Sequence, residues 1–188
     1  MRTLGFRWIV STLAAVGLLA GCSGGTAAPV GAVPGTAAAG GRPAGGGGTP
    51  RCTTAELTAS LGEAGAGAGS VFRSLIFTNT GSRPCELRGF PGVSYVAGDD
   101  GHQVGPAAEM AGERGAEVRI GVGGTAAAQL RLADVANYDA AVCMPTPVRG
   151  LRIYPPGDTA SLFVPMDGTG CTATPPGAQL SVRTVTAR

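Results

Sequence analysis

Four cysteines constrain this chain more than any other feature. Cys52, Cys85, Cys143 and Cys171 lie far apart in the 188 residues, with no Cys-x-x-Cys pair among them. Zinc sites favour close pairs, whereas an even number of dispersed cysteines in an exported domain reads as two disulfides. A fifth cysteine, Cys22, stands apart near the N-terminus.

Arg2 and Arg7 form a basic lead, and Trp8 to Ala20 is almost wholly apolar. That run is shorter than the ~20 residues a transmembrane helix needs, and it matches a signal-peptide core. Leu19-Ala20-Gly21-Cys22 resembles the bacterial lipobox, in which the chain is cut before the cysteine and its thiol accepts a diacylglyceryl group. The expected layout is a signal peptide over 1–21, lipidated Cys22 with a tether over 22–50, and one domain over 51–188. Two or more acyl chains anchor a protein stably. The expected location is thus the extracytoplasmic face of a cell membrane. Residues 23–50 hold ten glycines, four prolines and seven alanines, too little apolar bulk to offset the entropy of ordering. As a Gly-rich coil they would span about 30 Å.

Charge narrows the chemistry. All 14 basic residues are arginine, so mechanisms that need lysine (a Schiff base, a Walker lysine or a Ser-x-x-Lys pair) are excluded. From residue 51 onward there are 11 arginines against 12 acids, and no basic stripe to hold nucleic acid.

Period-two alternation of Leu57, Ala59 and Leu61 predicts a strand, overriding the capping-box pattern Thr53-Thr54-Ala55-Glu56. Gly62–Gly69 is expected as a loop, and Ser70–Asn79 as the clearest strand. Short extended segments are expected at Cys85–Leu87, Val93–Ala97 and from Gln103. Further strands are expected at Glu117–Val122 and Thr125–Leu132 as a hairpin around Gly123-Gly124, and at Leu151–Tyr154, Ala160–Val164 and Leu180–Thr186. Residues 106–116 are expected to loop out, 133–141 to be irregular, and Met144–Pro147 to break structure. Eight or nine short strands with frequent turns predict an all-β, antiparallel sandwich.

Four stretches carry a family resemblance: Ser74–Gly81, Cys85–Val93 (Cys-Glu-Leu-Arg-Gly-Phe-Pro-Gly-Val), Gly124–Ala128 and Leu151–Gly157. Over 51–188 the chain resembles a small exported domain of unknown function common in actinobacterial lipoproteins. The resemblance implies an immunoglobulin-like sandwich and no assigned activity.

The disulfide pairing follows from strand order. Cys52 precedes and Cys85 follows one pair of consecutive strands, and antiparallel neighbours return the chain to the same end. Cys143 and Cys171 bracket a second pair. Cys52–Cys85 and Cys143–Cys171 are therefore expected.

No catalytic, cofactor or metal site is read from the residues. His102 is the only histidine and follows a turn. Gly92-Val93-Ser94-Tyr95-Val96 lacks the last glycine of a nucleophile elbow. Met110, Met144 and Met166 are dispersed, and Asp99-Asp100 is too small a loop for calcium. Gly121–Ala126 matches a loose dinucleotide pattern without the following helix. The leading expectation is a non-catalytic module that binds an envelope or extracellular component, with residues 106–116 as the binding loop. A wall-polymer hydrolase or transferase, needing two perturbed carboxylates, is the alternative. A carrier of an apolar ligand between the sheets, needing an internal cavity of several hundred Å³, is the third reading.

Overall fold

The computed structural model describes residues 48–188, so the expected signal segment, Cys22 and most of the expected tether lie outside the described residues. The rest forms two facing β-sheets and a small ribbon. Twelve strands are present: β1 Leu57–Gly67, β2 Ser70–Asn79, β3 Cys85–Leu87, β4 Gly92–Ala97, β5 His102–Val104, β6 Glu109–Ala111, β7 Val118–Ile120, β8 Thr125–Ala133, β9 Pro145–Tyr154, β10 Leu162–Cys171, β11 Leu180–Arg183 and β12 Thr186–Ala187. One sheet runs β1-β2-β8-β11-β6, with β12 also paired to β8. The other runs β10-β9-β4-β5, and β3 pairs with β7. Every pairing is antiparallel except β11 with β6. This is the expected sandwich, with more strands than the sequence suggested.

Alternation explains which face is buried. On β2, Leu75, Phe77 and Asn79 turn inward, and on β8 Ala126, Ala128, Leu130 and Leu132 do the same. Val93 and Tyr95 of β4, Leu151 and Ile153 of β9 and Val164 of β10 meet them from the opposite sheet in one continuous core. Enclosing each Leu, Ile or Phe contributes about 1.5–3 kcal/mol. The alanines of β8 leave room for Phe77 and the large residues facing them, as close packing requires.

Several expectations need correction. Thr54–Glu56 is a 3₁₀ turn before β1, and Glu56 reaches back to accept from the Thr53 N–H at 2.9 Å, so helix signal and strand signal are both obeyed in succession. Gly62–Gly69 is not a loop. After a bulge between Leu61 and Ala64, β1 continues in register with β2 to Gly67, and only Ala68 and Gly69 turn. Both have positive φ, +46° and +68°, the signature of a type I′ hairpin. Residues 106–116 do not simply loop out, because β6 lies in them and is held parallel to β11. Gly123-Gly124 is not a hairpin turn. It carries the chain from the ribbon strand β7 to β8 in the large sheet. Within 133–141 the chain forms a 3₁₀ turn at Val135–Asn137 and begins α1, Ala140–Cys143, each start capped by an aspartate, Asp134 and Asp139.

Met144–Pro147 does not end regular structure either. Pro145 and Pro147 both lie in β9 opposite Cys171 and Thr169. The β4 pairing covers only Gly150–Tyr154 of β9, so the prolines sit where the strand has no neighbour on its other side. A proline is tolerated in a strand where its missing N–H would have faced solvent.

Candidate functional site

Both expected disulfides are formed, Cys52–Cys85 with Cα atoms 4.8 Å apart and Cys143–Cys171 with Cα atoms 4.7 Å apart. Each pins the two ends of a paired antiparallel unit, β1–β2 and β9–β10. Cys22, the expected lipidation site, lies outside the described residues.

The other singled-out residues do not converge. His102 is exposed, with Nδ1 2.8 Å from Asp100 Oδ1. That hydrogen bond is the main reason the Asp100 carboxyl lies below the usual carboxylate range. Ser94 is buried and Asp99 is exposed in the neighbouring turn. Met110 and Met144 are exposed at distant places, and only Met166 is partly buried. Among the described residues no three of His, Cys, Asp and Glu are placed to share a metal ion. None of the twelve acids is buried. The carboxyls with a resolved shift, Glu56, Asp100 and Asp158, all move downward.

The main concave feature was not foreseen. An open groove of ≈ 760 Å³ lies where the β1–β2 hairpin reaches past the opposite sheet. Val71 is paired to Leu132 and shares the inward face of the large sheet with Leu75 and Phe77, yet it remains 38% exposed because nothing covers it. Ala66 and Gly67 form one side of the groove, and Met166, Asp167, Gly168 and Thr169 of the β10 bulge form the other. Asp134 and Arg73 stand at its margins. The Arg73 guanidinium already donates to Gly62 O at 3.1 Å.

Tyr95 reaches this groove from the central strand β4 and is only 4% exposed. Its ring packs so closely on β10 that a Cβ at Gly170 would lie 2.9 Å from it. Burial, reinforced by nearby Tyr138, pushes the Tyr95 hydroxyl up to about 12, so it stays a neutral donor. Tyr138 donates to Ala178 O, whereas Tyr95 makes no hydrogen bond among the described residues. Its oxygen is not among the fully enclosed orphan atoms, which leaves it open to the groove. Ser70 also lines the groove, and its Oγ is enclosed without a partner. Buried polar groups are nearly always paired, so the enclosed Ser70 hydroxyl is an exception, whereas the Tyr95 hydroxyl is reached by solvent through the groove.

The groove lies at one end of the domain. The chain enters at the other, where Arg51 bridges Glu86 and Leu57 pairs with Asn79. At about 3.3 Å per residue, β1 separates the two ends by roughly 30 Å.

These features define a disulfide-stapled β-sandwich with an open groove at the end remote from its entry point. The chain belongs to the family described as a domain of unknown function (DUF4232), whose model matches residues 52–186. No curated protein and no solved structure matches the chain.

Sequence reasoning missed the groove because its walls are made of alanine and glycine, which carry little strand signal. The usable signal was Ala68-Gly69, a two-residue turn between segments of matching length.

Proposed function

We propose that this domain is a non-catalytic binding module, held on the extracytoplasmic face of a membrane by lipid on Cys22, and that its ligand seat is the groove beside Tyr95. The ligand is a component of the envelope or its surroundings. One observation carries the reading: the hydroxyl of an otherwise buried tyrosine, with no protein partner among the described residues, opens into a groove floored by an uncovered, apolar part of the large sheet. In the free protein only water can satisfy that hydroxyl, and Val71 beside it stays wet, so a ligand that brings both an acceptor and apolar cover suits the groove. The groove is preferred to residues 106–116 as the seat because β6 within that stretch is held in the sheet and, among the described residues, no comparable groove adjoins its exposed Met110. An apolar carrier would hold its cargo between the sheets, where Leu75, Phe77, Leu151 and Ile153 are fully enclosed.

Cross-linking on intact cells tests the seat. A photo-reactive residue at position 71 should capture a partner that the same residue at exposed Met110 does not. Capture at 110 alone, or at neither, would overturn the groove as seat. Cys22→Ser should release the protein to the medium or leave it uncleaved. Retention through a carbonate wash after normal processing would refute the anchor.

A further inference from the structure

We infer that the groove takes an extended peptide, which adds as a strand to the free edge of β1 and turns alternate apolar side chains toward Tyr95. The inference rests on the groove being the ligand seat, and adds what kind of ligand sits there.

Main-chain geometry provides the first argument. Ala68 and Gly69 form a two-residue turn, so Gly67 and Ser70 exchange both of their hydrogen bonds. Antiparallel pairs alternate. Ala66, opposite Val71, and Ala64, opposite Arg73, are therefore the pairs whose N–H and C=O groups point away from β2. β1 is the outermost strand of its sheet, so these groups face an open edge. Across the groove, Thr169 of β10 lies opposite Pro147, which has no N–H to give. That pair cannot exchange two bonds, and the Thr169 backbone groups also point outward. Free main-chain donors and acceptors thus border the groove on both sides.

The second argument is the lack of a guard. Exposed edges are usually blunted by charge, proline or a bulge. β1 has its bulge between Leu61 and Ala64, with Glu63 inside it. From Ala64 to Gly67 the edge carries only alanine and glycine, all exposed, with no charge and no proline. Small side chains let another backbone approach.

The third argument concerns which peptide fits. Side chains on one face of an added strand would meet Val71, Leu132 and Met166, so residues at every second position should be apolar. Asp134 and Asp167 border the groove, and its single base, Arg73, is already engaged by Gly62 O. The charge balance favours a basic residue in the peptide.

Fluorescence anisotropy on the full chain, solubilised in mild detergent, tests this. The probe is a labelled, capped peptide Thr-Val-Thr-Val-Lys-Val-Thr. Its comparators carry N-methyl groups at alternate amides, in either phase, or glutamate in place of lysine. One N-methyl phase should weaken binding at least tenfold and the other much less, and glutamate should weaken it several-fold. Ala66→Pro removes an outward N–H that β1–β2 pairing does not use, and should weaken binding at least tenfold while leaving the melting temperature within a few degrees. Should Ala66→Pro fail to fold, the N-methyl series still decides. Equal affinity in both N-methyl phases, or no binding by any probe up to 1 mM while the residue-71 cross-linker still captures a partner, would overturn strand addition and leave the groove standing. Failure of both experiments would remove both.

Discussion

Gln179 holds Cys171 as a neighbouring strand would. Its side-chain oxygen accepts from the Cys171 N–H at 2.8 Å, and its side-chain nitrogen donates to the Cys171 carbonyl at 3.0 Å. Both residues are buried. Because Cys171 lies opposite Pro145, its main-chain groups turn away from β9, and an amide side chain satisfies both, with its oxygen for the donor and its nitrogen for the acceptor. Gly105 packs so closely that a Cβ there would collide with the Cys171 oxygen and the Gln179 nitrogen, and its φ of +66° suits glycine. The end of β10, one anchor of the second disulfide, is thus fixed by a side chain from the β10–β11 connection.

Removing that amide should be costly. Gln179→Ala strands a buried N–H and a buried C=O, each worth about 1–3 kcal/mol. We expect a loss of about 2–4 kcal/mol in chemical denaturation. Gln179→Glu keeps the acceptor but sets a carboxylate oxygen against the Cys171 carbonyl, so it should also be destabilised, and increasingly as pH rises. A change under 0.5 kcal/mol in the alanine variant would show that water replaces the amide.

Reduction should be severe and divisible. In the chain-entropy model, loops closed by 33 and 28 residues contribute about 3.5–4 kcal/mol each. That is a large part of a typical total of about 5–15 kcal/mol. Cys52→Ala/Cys85→Ala should mainly loosen the entry end around Arg51 and Glu86, and Cys143→Ala/Cys171→Ala the end near Gln179 and the groove. Hydrogen exchange on the two variants reads the difference, and matching exchange patterns would contradict it.

The pairing of these cysteines was legible because it needs only local facts: a strong strand at Ser70–Asn79, a weaker one before it, and their antiparallel return. The core was legible only in part: Leu151 and Ile153 alternate with Arg152, whereas Leu75, Ile76 and Phe77 run together, and only the sheet shows that Leu75 and Phe77 turn inward. What the residues did not disclose depends on neighbours distant in sequence. Glu109–Ala111 is too short to show a period, and its partner strand β11 starts only at Leu180. Pro145 and Pro147 look like breakers until the absence of a β4 neighbour is known. Gly123 and Gly124 look like a hairpin until β7 and β8 are seen to enter different sheets. The groove was hidden most completely. It depends on β1 extending beyond the opposite sheet through residues with almost no side chain.

Acid should weaken the entry end first. Asp158 accepts from the Thr54 hydroxyl at 2.7 Å and from the Thr54 N–H at 2.6 Å, and also from Thr159 and Ala160. These bonds, the hydroxyl of Thr54 foremost, lower its carboxyl to about 2. An unfolded aspartate titrates near 3.9. The folded value is the lower one, so the stabilisation is complete above about pH 4 and is lost as pH falls toward 2. Glu56, lowered chiefly by the Thr53 N–H, acts in the same direction. Asp158→Asn should be less stable at pH 7 and show a flatter decline between pH 4 and 2. Parallel curves for the variant and the parent would contradict this linkage.

Ala68 offers a gain. It is a non-glycine residue at φ +46° and is followed by Gly69 at φ +68°. Type I′ turns prefer Asn-Gly because asparagine tolerates the left-handed region at little cost, whereas alanine has no such preference. Ala68→Asn should therefore raise stability by about 0.5–1 kcal/mol, a few degrees in melting temperature. Ala68→Val, with a branched Cβ in the same conformation, should lower it by a comparable or larger amount. The pair also bears on the groove, whose border runs from Ala66 to Gly69 and so includes Ala68 itself. If β1 presents a preformed edge, a firmer turn spares the ligand the entropy of ordering the hairpin, and Ala68→Asn should bind the extended peptide probe more tightly than the parent chain. Weaker binding by a better-folded hairpin would mean that the hairpin has to open before the ligand can enter.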